Sequence, residues 1–420
     1  MQRVTYKLGQ NKQFAEVRLM LIKKKTASQS WTDYQAIYLH TPFCVQKCLY
    51  CDFASYAGYG EKEMQAYTDA VCHEIAVRSE EAQHTAPTAS IYFGGGTPSV
   101  LPLACLEQLV AALKKYALWR TPCEATIEVN PGTADLAKLQ ALRALGFDRI
   151  SFGVQSLNDS ELRTIGRIHS AQQALTALSL ARQAGFDRIS ADVIYGLPSQ
   201  TLTSLRSTLS QLAEAGLEHL SVYGLIVEEG TPLARLVEAG KLQLPDEDEA
   251  ADMYDFVQDF LREQGFHRYE ISNYAKNDQY SRHNTVYWQY HPYLAFGAAA
   301  CGFEGQARRT AASGVREYIA GARQLTAASW RTSALYTIEE INQALQLEEF
   351  MFMGLRRSEG ADLAEAKARF GVDVLARFGQ ALAPFREQKL VQYEEKTQRL
   401  RLTERGMAVG NQIFDVFVIS

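Results

Sequence analysis

The sequence predicts an α/β protein: an open, partial (β/α)6 barrel of parallel strands, followed by a smaller winged-helix-like C-terminal domain. Three observations carry this. The hexapeptide GFDRIS occurs at 146–151 and again at 185–190, and a degenerate copy, GLEHLS, stands at 216–221. Each copy follows a segment of helical period (DLAKLQALRAL, AQQALTALSLARQA, LTSLRSTLSQLAEA) and precedes an apolar, strand-like run (ISFGV, ISADVIYG, LSVYGLIV). The glycine supplies the left-handed residue that ends a helix, so helix, stop and buried strand recur as βα units do. Finally, from Glu339 onward the pattern changes to helices and then two short strands.

In chain order, residues 1–36 mix charged and apolar positions (Val17, Leu19, Met20, Leu21, Ile22, then Lys23, Lys24, Lys25). They suit either a short strand or hairpin or a poorly ordered leader. Strands are expected at 37–40, 90–93 and 125–130, with helices at 61–80 and 102–116. With the repeat strands this makes six βα units in about 200 residues, short of the ~250 of a closed eight-unit barrel. Right-handed crossovers then bring every strand's C-terminal end to one rim. Residues 246–265 read as a helix with an acidic start, and FHRYEISNY as a strand. EEINQALQLEEFMFMGLRR, LAEAKARFG and LARFGQALAPFREQ have helical period, and LVQYEEKTQRLRLTERG reads as two strands around a turn at 394–398. The expected divisions are a leader over 1–36, the barrel over 37–245, an extension over 246–335 and the C-terminal domain over 336–420.

Composition narrows the function. Apolar residues at 47% with 22% charged suit a soluble globular protein rather than a disordered one. The balance of 43 basic and 48 acidic residues, net −5, argues against a nucleic-acid partner. The C-terminal domain shows no basic recognition helix, and a winged helix by itself assigns no function. No run approaches the ~20 apolar residues of a membrane span, and the first residues lack the apolar core of a secretory signal. Seven cysteines, three of them clustered, suit a reducing compartment. A cytoplasmic protein is expected.

The chemistry gathers in residues 37–56, IYLHTPFCVQKCLYCDFASY. A strand releases Cys44, Cys48 and Cys51 into a compact loop, where Phe43, Tyr50 and Phe53 can shield them from water. Clustered thiolates select zinc, Cu(I) or iron–sulfur centres. Structural zinc and simple ferredoxin clusters both want four ligands, and the next cysteine, Cys72, lies in an expected helix. Three ligands on a four-iron cluster leave one iron open to a small molecule. A zinc knuckle or three buried cysteines is the alternative.

This loop resembles the cluster loop of the radical SAM superfamily, whose open iron chelates S-adenosylmethionine (SAM). The longer match, HTPFC-x3-CLYCDF-x-SY, is closest to the HemW-like branch of the oxygen-independent coproporphyrinogen oxidase family. The resemblance implies a 4Fe–4S cluster on Cys44, Cys48 and Cys51, and a SAM contact at the glycine loop after strand two (Gly95, Gly96, Thr97), where bare backbone lets a ligand approach closely. Glu128, ending strand three, can accept from the ribose or amino group of SAM. Gln155, Arg167 and Asp192 correspond to residues that contact a nucleoside-bearing ligand on the same rim. Tyr38 and Tyr50 flank the loop and can pack against adenine. From the residues alone, the alternative for Glu128 and Asp192 is a buried loop-capping carboxylate.

A second motif, HNTVYW, matches an HN-x2-YW pattern associated with heme in that branch. It implies His283 as an axial ligand, with Tyr287 and Trp288 as a flat platform. Taken alone, His283 reads as well as a satisfied core histidine. Relatives commonly carry His where this chain has Cys301, which reads as a small buried residue. The decarboxylating oxidases carry a further cysteine two residues after the third ligand; here that position is Phe53. The resemblance therefore implies a heme chaperone that binds cluster, SAM and heme and passes heme to an acceptor protein, with a reductant protein as a further partner. The acceptor can be membrane-associated although this chain has no membrane segment. The alternative is a radical SAM oxidoreductase acting on a porphyrinogen, in which the cofactor does the difficult chemistry. A zinc-stabilised scaffold ranks third.

Overall fold

The computed structural model describes residues 35–80, 88–120 and 123–418. The strand or hairpin expected ahead of the barrel falls in residues 1–34 and lies outside the described residues. Six strands run parallel in sequential order: β1 (Ala36–Thr41), β2 (Ser90–Gly95), β3 (Glu124–Val129), β4 (Arg149–Gln155), β5 (Arg188–Tyr195) and β6 (His219–Gly224). Helices α1 (Glu61–Glu80), α2 (Leu103–Lys115), α3 (Leu136–Leu145), α4 (Asp159–Thr164), α5 (Ala171–Gln183) and α6 (Leu202–Glu214) carry the chain back between them. This is the (β/α)6 arrangement expected from the repeats. Gly146, Gly185 and Gly216 all have positive φ (114°, 89°, 71°), so each repeat does stop its helix. Phe147 and Phe186 then bury completely under the turn. Ser170 and Thr201 start α5 and α6 with capping boxes.

The repeat strands hold a feature that an apolar reading hides. Ile150, Phe152, Ile189 and Ala191 pack outward with Leu139, Leu142, Leu178 and Leu205 in one core. The alternating positions (Arg149 and Ser151, Ser190 and Asp192, Glu124 and Glu128) share the other face, which lines the barrel interior. Parallel strands usually read as continuous apolar runs; here one face is polar because it surrounds a site.

The barrel stays open. Helices α7 (Pro232–Glu238) and α8 (Glu247–Glu263) follow β6. The expected single strand FHRYEISNY is instead two short ones, β7 (His267–Arg268) and β8 (Asn273–Ala275). Fully buried Glu270 breaks it, accepting from Ser272 N at 2.8 Å and Asn273 Nδ2 at 2.5 Å. Strand β8 pairs antiparallel with β6. Helix α9 (Arg282–Trp288) leads to β9 (Tyr293–Phe296), which pairs parallel with β1. Then β10 (Cys301–Phe303), β11 (Ala307–Ala311), α10 (Val315–Ala322) and β12 (Tyr336–Glu340) complete a twelve-stranded sheet.

Strand β12, at the start of the division expected from 336, pairs with β11 in the large sheet. A second core runs from Ile341 to Phe417 and takes in Tyr290 and Phe303 from the preceding segment. It joins α11 (Gln343–Arg356), β13 (Ala361–Asp362), α12 (Leu363–Phe370), α13 (Val374–Glu387), β14 (Val391–Glu394), β15 (Arg399–Leu402), α14 (Glu404–Ala408) and α15 (Gly410–Phe414). The small sheet has the order β13-β15-β14 with antiparallel pairs. Three helices interleaved with that sheet and its hairpin make a winged-helix arrangement. Among the described residues, no helix is long and apolar enough to cross a membrane.

Candidate functional site

The loop after β1 crosses the barrel mouth and is tied down on both sides. Cys44 N donates to Tyr56 O (2.9 Å) and Tyr56 N to Pro42 O (2.7 Å). Leu49 N reaches Ile165 O beyond α4 (3.0 Å), and Leu233 N of α7 reaches Leu49 O (2.9 Å). Cys44, Cys48 and Cys51 thereby line one cavity together with Tyr50, Gly95, Gly96, Thr97, Glu128, Gln155, Arg167 and Asp192. Phe53 reaches its rim but is 70% exposed, so the expected shielding there does not form. Phe43 is buried instead in the core beside Tyr67 (5.2 Å).

The thiols suit a multi-iron centre. The three sulfurs line one shared cavity. Cys44 Sγ lies 3.7 Å from Thr97 Oγ1, Cys51 Sγ 3.7 Å from Ser55 Oγ, and Arg167 Nη1 donates to Cys48 Sγ at 3.3 Å. Burial pushes the Cys44 thiol above its usual range, partly offset by its bonds to Thr97 and Ser55. Metal ligation must displace that proton, and the Arg167 guanidinium stands directly against Cys48. The glycine loop has no room for side chains. A Cβ on Gly96 would sit 2.7 Å from Phe43 O and 3.0 Å from Cys44 Sγ, and Gly95 has φ 115°.

Arg167 also donates through Nη2 to Asn130 Oδ1 (2.8 Å) and to Gly153 O, and its buried Nε has no partner among the described residues. Asn130 Nδ2 reaches Thr97 Oγ1 (2.7 Å), which joins the glycine loop to β3. Gln155 holds a left-handed backbone, φ 67°, where the β4–β5 register shifts. Such a conformation is uncommon for a side-chain-bearing residue and persists where its surroundings over-determine it; the bulge sets Gln155 in the cavity wall.

Two carboxylates face the cavity. Glu128 accepts from Tyr92 Oη (2.7 Å) and Gly95 N (3.1 Å). Burial raises it to about 7; the Tyr92 bond opposes this, and Asp192 adds to it. Burial also raises Asp192, against Ser221, Arg149 and Ser151, whose Oγ stands 3.5 Å away. The Glu128 effect has a definite sign. With its folded value above the usual 4.5, its contribution to stability is present at low pH and lost as pH rises from about 4.5 to about 7. Glu128→Gln cannot ionise, so between about pH 5 and 8 it should lose less stability than wild type. The expected difference is on the order of 2 kcal/mol, allowing for cavity water, and urea unfolding across that range measures it.

Tyr38, His283, Tyr287 and Trp288 do not line this cavity. Tyr38 lies inside the barrel below it, its Oη donating to His40 Nδ1 (3.0 Å), while His40 Nε2 donates to Ala54 O of the cysteine loop (2.9 Å). His283 is 1% exposed on α9, against the N-terminal end of β2. Its Nδ1 bonds Ser90 Oγ at 2.9 Å and its Nε2 bonds Tyr287 Oη at 2.7 Å. Both ring nitrogens are thus engaged, and a heme iron reaches either only if α9 leaves the sheet. Burial holds the ring at about 3, so it is neutral. Trp288 is half-buried under Arg356 (4.7 Å), its buried Nε1 without a partner among the described residues. Cys301 is half-buried at the start of β10.

Tyr92, Asn130, Arg149 and Ser151 join the site without having been singled out. The usable signal was strand alternation: SIYFG, EATIEV and RISFG place polar residues at every second position.

A radical SAM superfamily profile matches residues 38–212, and a HemN C-terminal domain profile matches residues 341–409. The heme chaperone HemW of Lactococcus lactis subsp. lactis is 33% identical over 382 residues, 91% of this chain and 97% of that protein. Heme chaperone HemW of Bacillus subtilis is 34% identical over 388 residues, 91% and 99% of the two chains. The mitochondrial radical S-adenosyl methionine domain-containing protein 1 of Danio rerio is 34% identical over 77% of this chain and 73% of its own. The solved structure of coproporphyrinogen III oxidase (HemN) from Escherichia coli, a radical SAM enzyme, superposes with TM-score 0.79. The match covers 93% of this chain and 91% of that one at 22% identity, which shows a common fold.

Proposed function

The chain belongs to the HemW heme-chaperone family of the radical SAM superfamily, and on that premise we propose that it binds a 4Fe–4S cluster, SAM and heme and delivers heme to an acceptor protein. One observation carries the reading: three thiols share a cavity with the glycine loop and the polar ends of β3, β4 and β5. Cys44, Cys48 and Cys51 hold the cluster, and Arg167 balances its charge at Cys48. Gly95, Gly96 and Thr97 offer backbone and hydroxyl to the methionine end of SAM, while Glu128, Gln155 and Asp192 take its hydroxyl and amino groups. Tyr50, packed with Ile165, Ile194 and Leu197, gives adenine an apolar wall. When bound, cluster and SAM together supply one-electron chemistry. Phe53, in place of a further cysteine, weighs for heme handling over porphyrinogen decarboxylation. We place the protein in the cytoplasm, served by a reductant protein, with an acceptor that can sit at a membrane.

Anaerobic reconstitution followed by SAM and heme titration tests this. About four irons per chain are expected, with SAM and heme both bound and heme passing to an apo-hemoprotein. A cluster-loaded protein that binds no heme overturns the chaperone reading. Porphyrinogen-dependent release of 5′-deoxyadenosine favours the oxidoreductase instead.

A further inference from the structure

We propose that His283 is a positioning residue for the Glu128 carboxylate, acting through Tyr92, so that the HN-x2-YW motif serves the SAM cavity from beneath. The inference rests on the SAM reading of that cavity. Strand β3 carries both ends of the connection. At its start, fully buried Glu124 accepts from the backbone N of Arg282 and of His283, each at 3.1 Å, and pairs with Arg188 at 2.6 Å. This fixes the first turn of α9 against the barrel floor. At the other end of the same strand stands Glu128.

The imidazole then lies under Tyr92, ring centroids 4.8 Å apart and planes within 25°. Its nitrogens are bonded to Ser90, two residues before Tyr92 on β2, and to Tyr287. On its other side Tyr92 stacks with Tyr38, 6.3 Å away at 24°. Held between two flat neighbours, the phenol has one ring plane available, and in it the hydroxyl donates to Glu128 at 2.7 Å. At 2.7 Å this hydrogen bond is short and directional, so it decides which carboxylate oxygen faces the ligand. Taking away the imidazole opens space under Tyr92, lets the ring tilt and loosens the carboxylate. His283 touches neither ligand nor cluster; its influence runs through Tyr92.

The test measures SAM affinity, heme affinity and iron content on the cluster-loaded full chain. Tyr92→Phe and His283→Ala should each weaken SAM binding about tenfold, the equivalent of about 1.4 kcal/mol, with iron and heme affinity unchanged. Because both act through one hydrogen bond, the double variant should be no weaker than the poorer single, where independent effects would multiply to about a hundredfold. Tyr287→Phe, which deletes only the hydroxyl on His283 Nε2, covers the case in which His283→Ala fails to fold; it should weaken SAM binding a few-fold. Unchanged SAM affinity in all variants, multiplicative effects, or heme loss confined to the His283 variants overturns the proposal. Wild-type protein that holds its cluster but binds no SAM overturns the reading beneath it.

Discussion

Cys48→Ala is expected to leave a folded protein without iron. Cys48 is half-buried in a loop whose fixed points are backbone hydrogen bonds at Cys44, Leu49 and Tyr56, none of which uses its side chain. Truncation therefore removes little packing, and unfolding free energy should change by about 1 kcal/mol or less. The chemical consequence is much larger. A cluster held by three thiolates has no spare protein ligand, and the Arg167 Nη1 that faces Cys48 Sγ at 3.3 Å loses its acceptor. Iron content and thiolate-to-iron absorbance should fall to background, and SAM affinity by about 100-fold or more, beyond the 10–100-fold typical of losing a partner one shell further out. Elemental analysis and SAM titration of anaerobic protein measure both. Full iron retention in Cys48→Ala would show that the three sulfurs do not hold one centre.

How much of this was legible depends on how local each signal is. The repeats were readable because a glycine stop, a buried Phe147 or Phe186 and the next strand lie within a few residues of one another. Part of the cavity lining was readable for the same reason, since in a parallel α/β barrel a residue at a strand's C-terminal end is at the rim whatever its neighbours are; Tyr38, expected there, lies outside the lining, and Asn130 and Ser151 belong to it. The polar interior was harder to see, because RIS and EATIE look apolar until alternate positions are separated. His283 could not be resolved from sequence. Whether its nitrogens are free depends on Ser90, far upstream on β2, and that hydrogen bond is non-local. The break at Glu270 and the membership of β12 in the large sheet likewise depend on partners distant in sequence.

Glu74→Gln is expected to cost about 3–5 kcal/mol of stability, the penalty of stripping one partner from a buried ion pair. Glu74 on α1 is fully buried and accepts four hydrogen bonds: Arg78 Nη1 (2.9 Å), Gly297 N (3.0 Å), Tyr318 Oη (2.6 Å) and Tyr336 Oη (2.8 Å). Arg78, 2% exposed, also donates to Ala295 O (2.7 Å) and lies over the rings of Phe296 and Trp330 (4.6 and 5.3 Å). A neutral amide leaves that guanidinium buried without its carboxylate, and its NH2 turns a donor toward hydroxyls that must themselves donate. The double variant Glu74→Gln/Arg78→Met should cost less than the sum of the singles, because the two side chains act as a pair. The effect should also reach the site. The same corner of the molecule holds Tyr67, which donates to His40 O (2.8 Å) and accepts from Ala298 N (3.0 Å), and His40 in turn holds Ala54 in the cysteine loop. Loosening α1 from the β9 turn should therefore make Glu74→Gln lose its cluster at a lower temperature than wild type. Urea unfolding of both proteins, with iron release followed on heating, measures the two effects separately; unfolding midpoints that coincide would mean the pair contributes no net stability here.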